Sequence, residues 1–126
     1  RTILSLGPLL DPELPPDVLA AVVAELESPH FRTAGGLGVA TYDLLAPDFD
    51  RRRYWRGPVW ANLNWLLARG LRAHGLDTEA AALERTTVRL IEAAGMREYF
   101  DPLTGDGLGS EDFSWTAAVL TDILRA

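Results

Sequence analysis

The stretch Gly57-Pro58-Val59-Trp60-Ala61-Asn62-Leu63-Asn64-Trp65-Leu66-Leu67-Ala68-Arg69-Gly70-Leu71-Arg72-Ala73-His74-Gly75-Leu76-Asp77 decides the fold. Trp60, Leu63, Asn64, Leu67 and Leu71 fall on one stripe at helical spacing, and Pro58 suits the first helical position, where a missing N–H costs nothing. His74-Gly75 ends the helix, and Asp77 is the expected N-cap of the next one. That helix runs to Ala94, with Leu83, Thr87, Leu90, Ile91 and Ala94 facing inward and Gly95 closing it. The pattern predicts two antiparallel helices, 58–74 and 77–94, on a short turn.

Working outward, Leu9-Leu10-Asp11-Pro12 opens an irregular segment that ends at Pro15-Pro16. A helix over 16–27 follows, with Leu19, Val22, Val23 and Leu26 on one face. A last helix covers 114–125. Between them lie two long segments, 28–57 and 95–112, rich in Gly, Pro and Asp. Connections between antiparallel helices alternate ends. With the connections running long, short, long, both long segments meet at one end of the stack. Loops of that length in a compact domain are usually functional or disordered.

Four such helices suit either a four-helix bundle or the end of a larger helical toroid. The last helix favours the second. Phe113, Trp115, Ala117, Ala118, Val119, Leu120, Ile123 and Leu124 occupy most of its surface, and a helix apolar nearly all round is one buried on all sides. The chain opens at Arg1 rather than at a methionine, and we read residues 1–126 as part of a single larger domain.

Composition narrows the partners. The net charge of −6 argues against nucleic acid, which demands a basic surface. The dense basic run Arg51-Arg52-Arg53 reads as a solvated loop. There is no cysteine, hence no disulfide or thiolate metal site, which fits a reducing, cytoplasmic setting. His30 and His74 are too far apart to suggest a metal pair, so neither metal nor cofactor is expected. His74 reads as a cation at a helix C-terminus. No apolar run reaches the length of a membrane span.

Chemistry concentrates in Arg97-Glu98-Tyr99-Phe100-Asp101-Pro102-Leu103-Thr104-Gly105 and the glycines after it. A carboxylate beside aromatic faces suits a sugar, and such a carboxylate can activate water against a glycosidic bond. Trp55 lies in a loop, where an indole serves as a ligand platform, whereas Trp60 divides between core and sugar contact. Arg56 is a candidate neighbour favouring the charged form of Glu98, or an anchor for loop carbonyls. Asp101-Pro102 and Asp106-Gly107 read as turns and Asp112 as a helix cap. Gly105, Gly107 and Gly109 lack the Lys-Ser/Thr of a phosphate loop.

Tyr54-Trp55-Arg56-Gly57-Pro58-Val59-Trp60 with Asn62 and Asn64, and Glu98-Tyr99-Phe100-Asp101-Pro102 through Trp115-Thr116-Ala117-Ala118, resemble two blocks of glycoside hydrolase family 63, in the same order and at the same separation. The resemblance covers roughly Gly35 to the C-terminus. It implies an all-α fold, the C-terminal portion of an (α/α)6 barrel, and an inverting hydrolase of α-glucosides or a small glycosylated metabolite. It places the general base on Glu98 and the sugar subsite around Tyr54, Trp55, Arg56, Trp60 and Tyr99. The family's general acid, an Asp in an upstream block, has no counterpart here, so the partner of this chain is the remainder of the barrel. Two rivals need no catalysis: a stand-alone helical carbohydrate-binding module, and a helical interaction domain docking through its last helix.

Overall fold

The computed structural model describes residues 1–33 and 35–125. A 3₁₀ helix, Ile3–Leu10, comes first. The four α-helices are α1 (Pro16–Leu26), α2 (Ala61–Ala73), α3 (Asp77–Ala94) and α4 (Ser114–Arg125). A two-residue hairpin, β1 (Tyr99–Phe100) and β2 (Gly107–Leu108), pairs Tyr99 with Leu108 and Phe100 with Gly107. The fold is mostly helical, as expected, and α3 and α4 have the bounds the sequence predicts.

Helix α2 is the hub. It packs against the 3₁₀ helix, α3 and α4, while α1 rests on the 3₁₀ helix. One buried cluster joins Leu6 and Leu9 to Leu26, Phe31, Val39, Leu67, Leu71 and Leu83. A second joins Val59, Leu90, Ile91, Phe100 and Val119. Full burial of each such side chain contributes about 1.5–3 kcal/mol. Of the expected stripe on α3, Leu83, Thr87, Leu90 and Ile91 are buried and Ala94 is partly so; Ala80, not anticipated, is buried with them. On α4 only Thr116 and Val119 are buried, and Trp115 and Leu124 stand exposed on a helix with neighbours on one side.

Several expectations are corrected. A 3₁₀ helix over Ile3–Leu10, which the sequence reading does not anticipate, takes Leu9 and Leu10 out of the expected irregular segment: Ile3, Leu6 and Leu9 recur every third residue and are all buried, while 11–15 stay irregular. Helix α2 begins at Ala61, not Pro58. Val59 is taken by backbone pairing with Ala40 on one side and Phe100 on the other, and Trp60 stays extended. Asp77 is the first residue of α3 rather than its cap; Leu76 holds that place without a side-chain bond, and Asp77 lies 3.2 Å from Arg72. Asp112 takes a left-handed φ of 50°, and the carbonyl of Phe113 accepts the Ala117 N–H that opens the helix.

Two polar devices fasten the first long segment. Asn64 on α2 is fully buried. Its Oδ1 accepts the Val39 N–H (2.9 Å), and its Nδ2 donates to the carbonyls of Val39 and Trp60 (3.1 Å each). His30 Nδ1 lies 2.7 Å from Asp43 Oδ1, which also accepts the Leu45 N–H, while Arg1 reaches His30 Nε2. Burial opposes ionisation of Asp43. The His30 and Leu45 hydrogen bonds overcome it, so its carboxyl titrates below the ordinary value.

Asn64→Ala strands both polar groups of Val39 and is expected to cost about 3 kcal/mol in urea unfolding. Gly70 lies inside α2, where Ala is the better helix former by about 1 kcal/mol. A Cβ there would meet the Leu9 carbonyl oxygen at 2.7 Å. Gly70→Ala is therefore expected to lower stability by about 1–3 kcal/mol despite its propensity. Because folding depresses the Asp43 pKa, its contribution is complete at neutral pH. The stability gap between wild type and Asp43→Asn should close as pH falls below about 4.

Candidate functional site

The two long segments meet at one end of the helices, as the connection lengths require. Val59 and Phe100 exchange both backbone hydrogen bonds (2.8 Å each). This splices the segment carrying Tyr54 and Trp55 to the strand that follows Glu98. The 50–56 loop closes on itself through the Asp50 N–H and the Arg56 carbonyl, 2.9 Å apart. Gly57 sits against that closure, where a Cβ would come within 2.6 Å of the Asp50 carbonyl oxygen.

The loop delivers an aromatic cluster. The Trp55 and Trp60 rings stack at 4.6 Å and 6°, and Tyr99 lies over Trp60 at 5.2 Å and 23°. Tyr54 stands edge-on to Trp55, Trp60 and Tyr99 at 4.9–5.5 Å. Its backbone has a φ of 31°, a left-handed conformation that a bulky residue adopts only when held. Trp60 Nε1 donates to the Tyr54 carbonyl at 3.1 Å and helps hold it. The cluster divides into two layers. Trp60 is 1% exposed and backs the other rings, which answers its divided reading in favour of the core. Tyr54 and Trp55 are nearly half exposed, and Trp55 also borders an apolar hollow of about 340 Å³ with Leu4 and Leu63.

Glu98 is half-buried beside this cluster. Its Oε2 accepts the Ser110 N–H at 3.0 Å, and its own N–H donates to the Ser110 carbonyl at 3.0 Å. Gly109, with a φ of 70°, approaches so closely that a Cβ would lie 2.6 Å from Glu98 Oε2 and 2.7 Å from Tyr99. The Tyr54 phenol faces the same carboxylate. Desolvation, then the Glu98 charge, raise the phenol's pKa, so it keeps its proton at neutral pH. Arg97 locks the far side of the loop, reaching Glu111 and donating to the Gly109 carbonyl at 3.1 Å. The geometry thus presents a fixed carboxylate, a phenol donor and an open indole face at one place.

Tyr54, Trp55, Trp60, Glu98 and Tyr99 are brought together. Arg56 is not. Its guanidinium pairs with Asp48 at 3.6 Å rather than serving Glu98 or loop carbonyls. The run Arg51-Arg52-Arg53 is not merely solvated either, since Arg51 and Arg52 point at Asp101. Ser110 and Gly109 escaped the sequence reading because their parts are played by backbone atoms and by close approach. Among the described residues no three His, Cys, Asp or Glu side chains gather in a way that would hold a metal ion. No described helix is long and apolar enough to cross a membrane.

Residues 1–116 match the family model described as the mannosylglycerate hydrolase MGH1-like glycoside hydrolase domain. The chain is 50% identical over 106 residues to a mannosylglycerate hydrolase of Rubrobacter radiotolerans, covering 82% of this chain and 24% of that protein. It is 36% identical over 127 residues to a glucosylglycerate hydrolase of Mycolicibacterium hassiacum, covering 98% of this chain and 28% of that one. Crystal structures of the GH63 mannosylglycerate hydrolase from Thermus thermophilus, one with glucose and one with Tris and D-glycerate, superpose with TM-scores of 0.82 and 0.83 at 36% identity. The superpositions cover all of this chain and 30% of theirs. The chain belongs to the mannosylglycerate hydrolase-like glycoside hydrolases of family GH63, and it spans about a quarter of the length of the curated relatives it matches.

Proposed function

We propose that this chain supplies the general base and one wall of the sugar subsite of an inverting glycoside hydrolase acting on mannosylglycerate or glucosylglycerate. The observation that carries the reading is the Glu98 carboxylate, pinned by the Ser110 N–H beside the exposed faces of Tyr54 and Trp55. Solved relatives hold glucose and D-glycerate, the two kinds of fragment such a substrate contains.

The chemistry follows from the geometry. In an inverting hydrolase a carboxylate takes a proton from water on one face of the sugar while an acid protonates the leaving oxygen on the other, with the two carboxyl groups about 6.5–9.5 Å apart. Glu98 is the base in this reading. One oxygen is occupied by the Ser110 N–H, which leaves Oε1 for the water. Tyr54 presents a protonated phenol beside the carboxylate, and Trp55 offers its indole to the apolar face of the sugar ring. Trp60 and Tyr99 support that face from behind. The general acid comes from the rest of the polypeptide, in which helices α1–α4 form the C-terminal part of an (α/α)6 barrel. Trp115, Ala118 and Leu124, exposed on α4, meet that remainder in the closed toroid.

Glu98→Gln in the full-length protein keeps the shape and the Ser110 contact but removes the base. It is expected to lower kcat by about 10²–10⁴-fold with little change in sugar affinity, measured by turnover and calorimetry. Undiminished hydrolysis would remove Glu98 from the base role. A wild type that binds these sugars without cleaving them would leave a binding module.

A further inference from the structure

Asp101 is a fully buried carboxylate, three residues beyond Glu98. Sequence reasoning makes it a turn residue, and one oxygen does that: Oδ1 accepts the N–H groups of Leu103 (2.9 Å) and Thr104 (3.3 Å). The other oxygen has no part in the turn. Oδ2 is buried and accepts no hydrogen bond. What faces it is charge from another segment: Arg51 Nε at 3.4 Å and Arg52 Nε at 3.9 Å. Neither distance comes with hydrogen-bond alignment, so the attraction is Coulombic, with the carboxylate wholly desolvated and both guanidiniums part-exposed.

The cost of burying that charge is not explained by the turn, for which Asn would serve as well. It is explained by where the arginines lie. Arg51 and Arg52 belong to the closed 50–56 loop, two to four residues before Tyr54 and Trp55. Asp101 directly follows the strand that starts after Glu98. The ion pairs therefore span the two halves of the site, one half carrying the aromatic wall and the other the carboxylate. The Val59–Phe100 pairing fixes the roots of the two segments and Trp60 holds the Tyr54 carbonyl, while the Asp101 charge reaches the loop two to three residues earlier, at Arg51 and Arg52. Tyr54 needs such a restraint, because its left-handed φ relaxes if the loop is free to move.

We propose that Asp101 is a positioning residue of this site: its buried charge draws Arg51 and Arg52 inward and so sets the aromatic loop against Glu98. The proposal rests on the hydrolase reading above. It does not make Asp101 a group that touches substrate.

The test uses Asp101→Asn and Arg51→Gln/Arg52→Gln, singly and together, in the full-length protein. Asn keeps the Oδ1 turn but turns an amide N–H₂ toward two cations, which pushes the loop away. Small displacements of reacting groups are costly, so kcat is expected to fall at least about tenfold. KM should change less than about twofold, because the rest of the protein still binds the substrate. The combined variant should be no worse than Asp101→Asn alone. Amide exchange in residues 51–57 should quicken about tenfold while that of α2 stays unchanged. A purely structural Asp101 would instead lower the melting temperature with kcat and exchange at 51–57 intact, and that result overturns the proposal, as do losses that multiply in the combined variant. The two arginines are part-exposed, so their variant folds even if Asp101→Asn does not. If the wild type cleaves neither mannosylglycerate nor glucosylglycerate, the functional reading falls, and exchange at 51–57 alone decides the tie.

Discussion

Everything at the working end of this molecule hangs on backbone pairing one residue wide. Ala40 pairs with Val59, Val59 with Phe100, and Phe100 with Gly107 across its hairpin, so three remote segments lie side by side without a strand longer than two residues. Each link is small, yet buried N–H and C=O groups must find partners, and at the ends of the helices no regular ladder is available. Val59 satisfies Phe100 on one edge while the Pro58 carbonyl accepts both the N–H and the hydroxyl of Thr41 on the other. This strip stops α2 from starting before Ala61, and it brings the aromatic segment beside the acidic one. Asn64 extends it into the helix layer by satisfying both polar groups of Val39.

On that base the site is assembled in layers. Trp60 is the inner one: fully covered, it fixes Tyr54 through its indole N–H and supports Trp55 and Tyr99 by stacking. Tyr54 and Trp55 are the outer one, left to solvent on faces that a ring of carbon and hydroxyl groups would cover. Glu98 is held from the opposite side by Ser110 and crowded by Gly109, whose missing side chain makes the room. Rigid surroundings suit the base role proposed for Glu98, since the value of a base lies in being aligned before the water arrives.

The helices were legible because their periods are long. Leu83, Thr87, Leu90 and Ile91 repeat over enough turns to define α3 to the residue, and the Gly75 and Gly95 stops need a left-handed backbone that glycine provides. The alternation of long and short connections then put the two acidic and aromatic segments at one end, without any knowledge of their conformation. The hairpin at Tyr99–Phe100 and the 3₁₀ helix at Ile3–Leu10 were not legible. Two residues carry no period, and a repeat of three interrupted by Gly7 and Pro8 resembles loop composition.

Sequence by itself determined the four α-helices, the family, and the meeting of residues 28–57 with 95–112, all of which depend on patterns many residues long. Tertiary structure alone decided the assignments within the site. It buried Trp60 and exposed Trp55, sent Arg56 to Asp48, and turned Arg51 and Arg52 toward Asp101. The physical reason is that a side chain's partner in an irregular segment is whichever group lies within a few ångströms after the backbone has closed, and that closure is fixed by pairings such as Val59 with Phe100, forty-one positions apart in the chain.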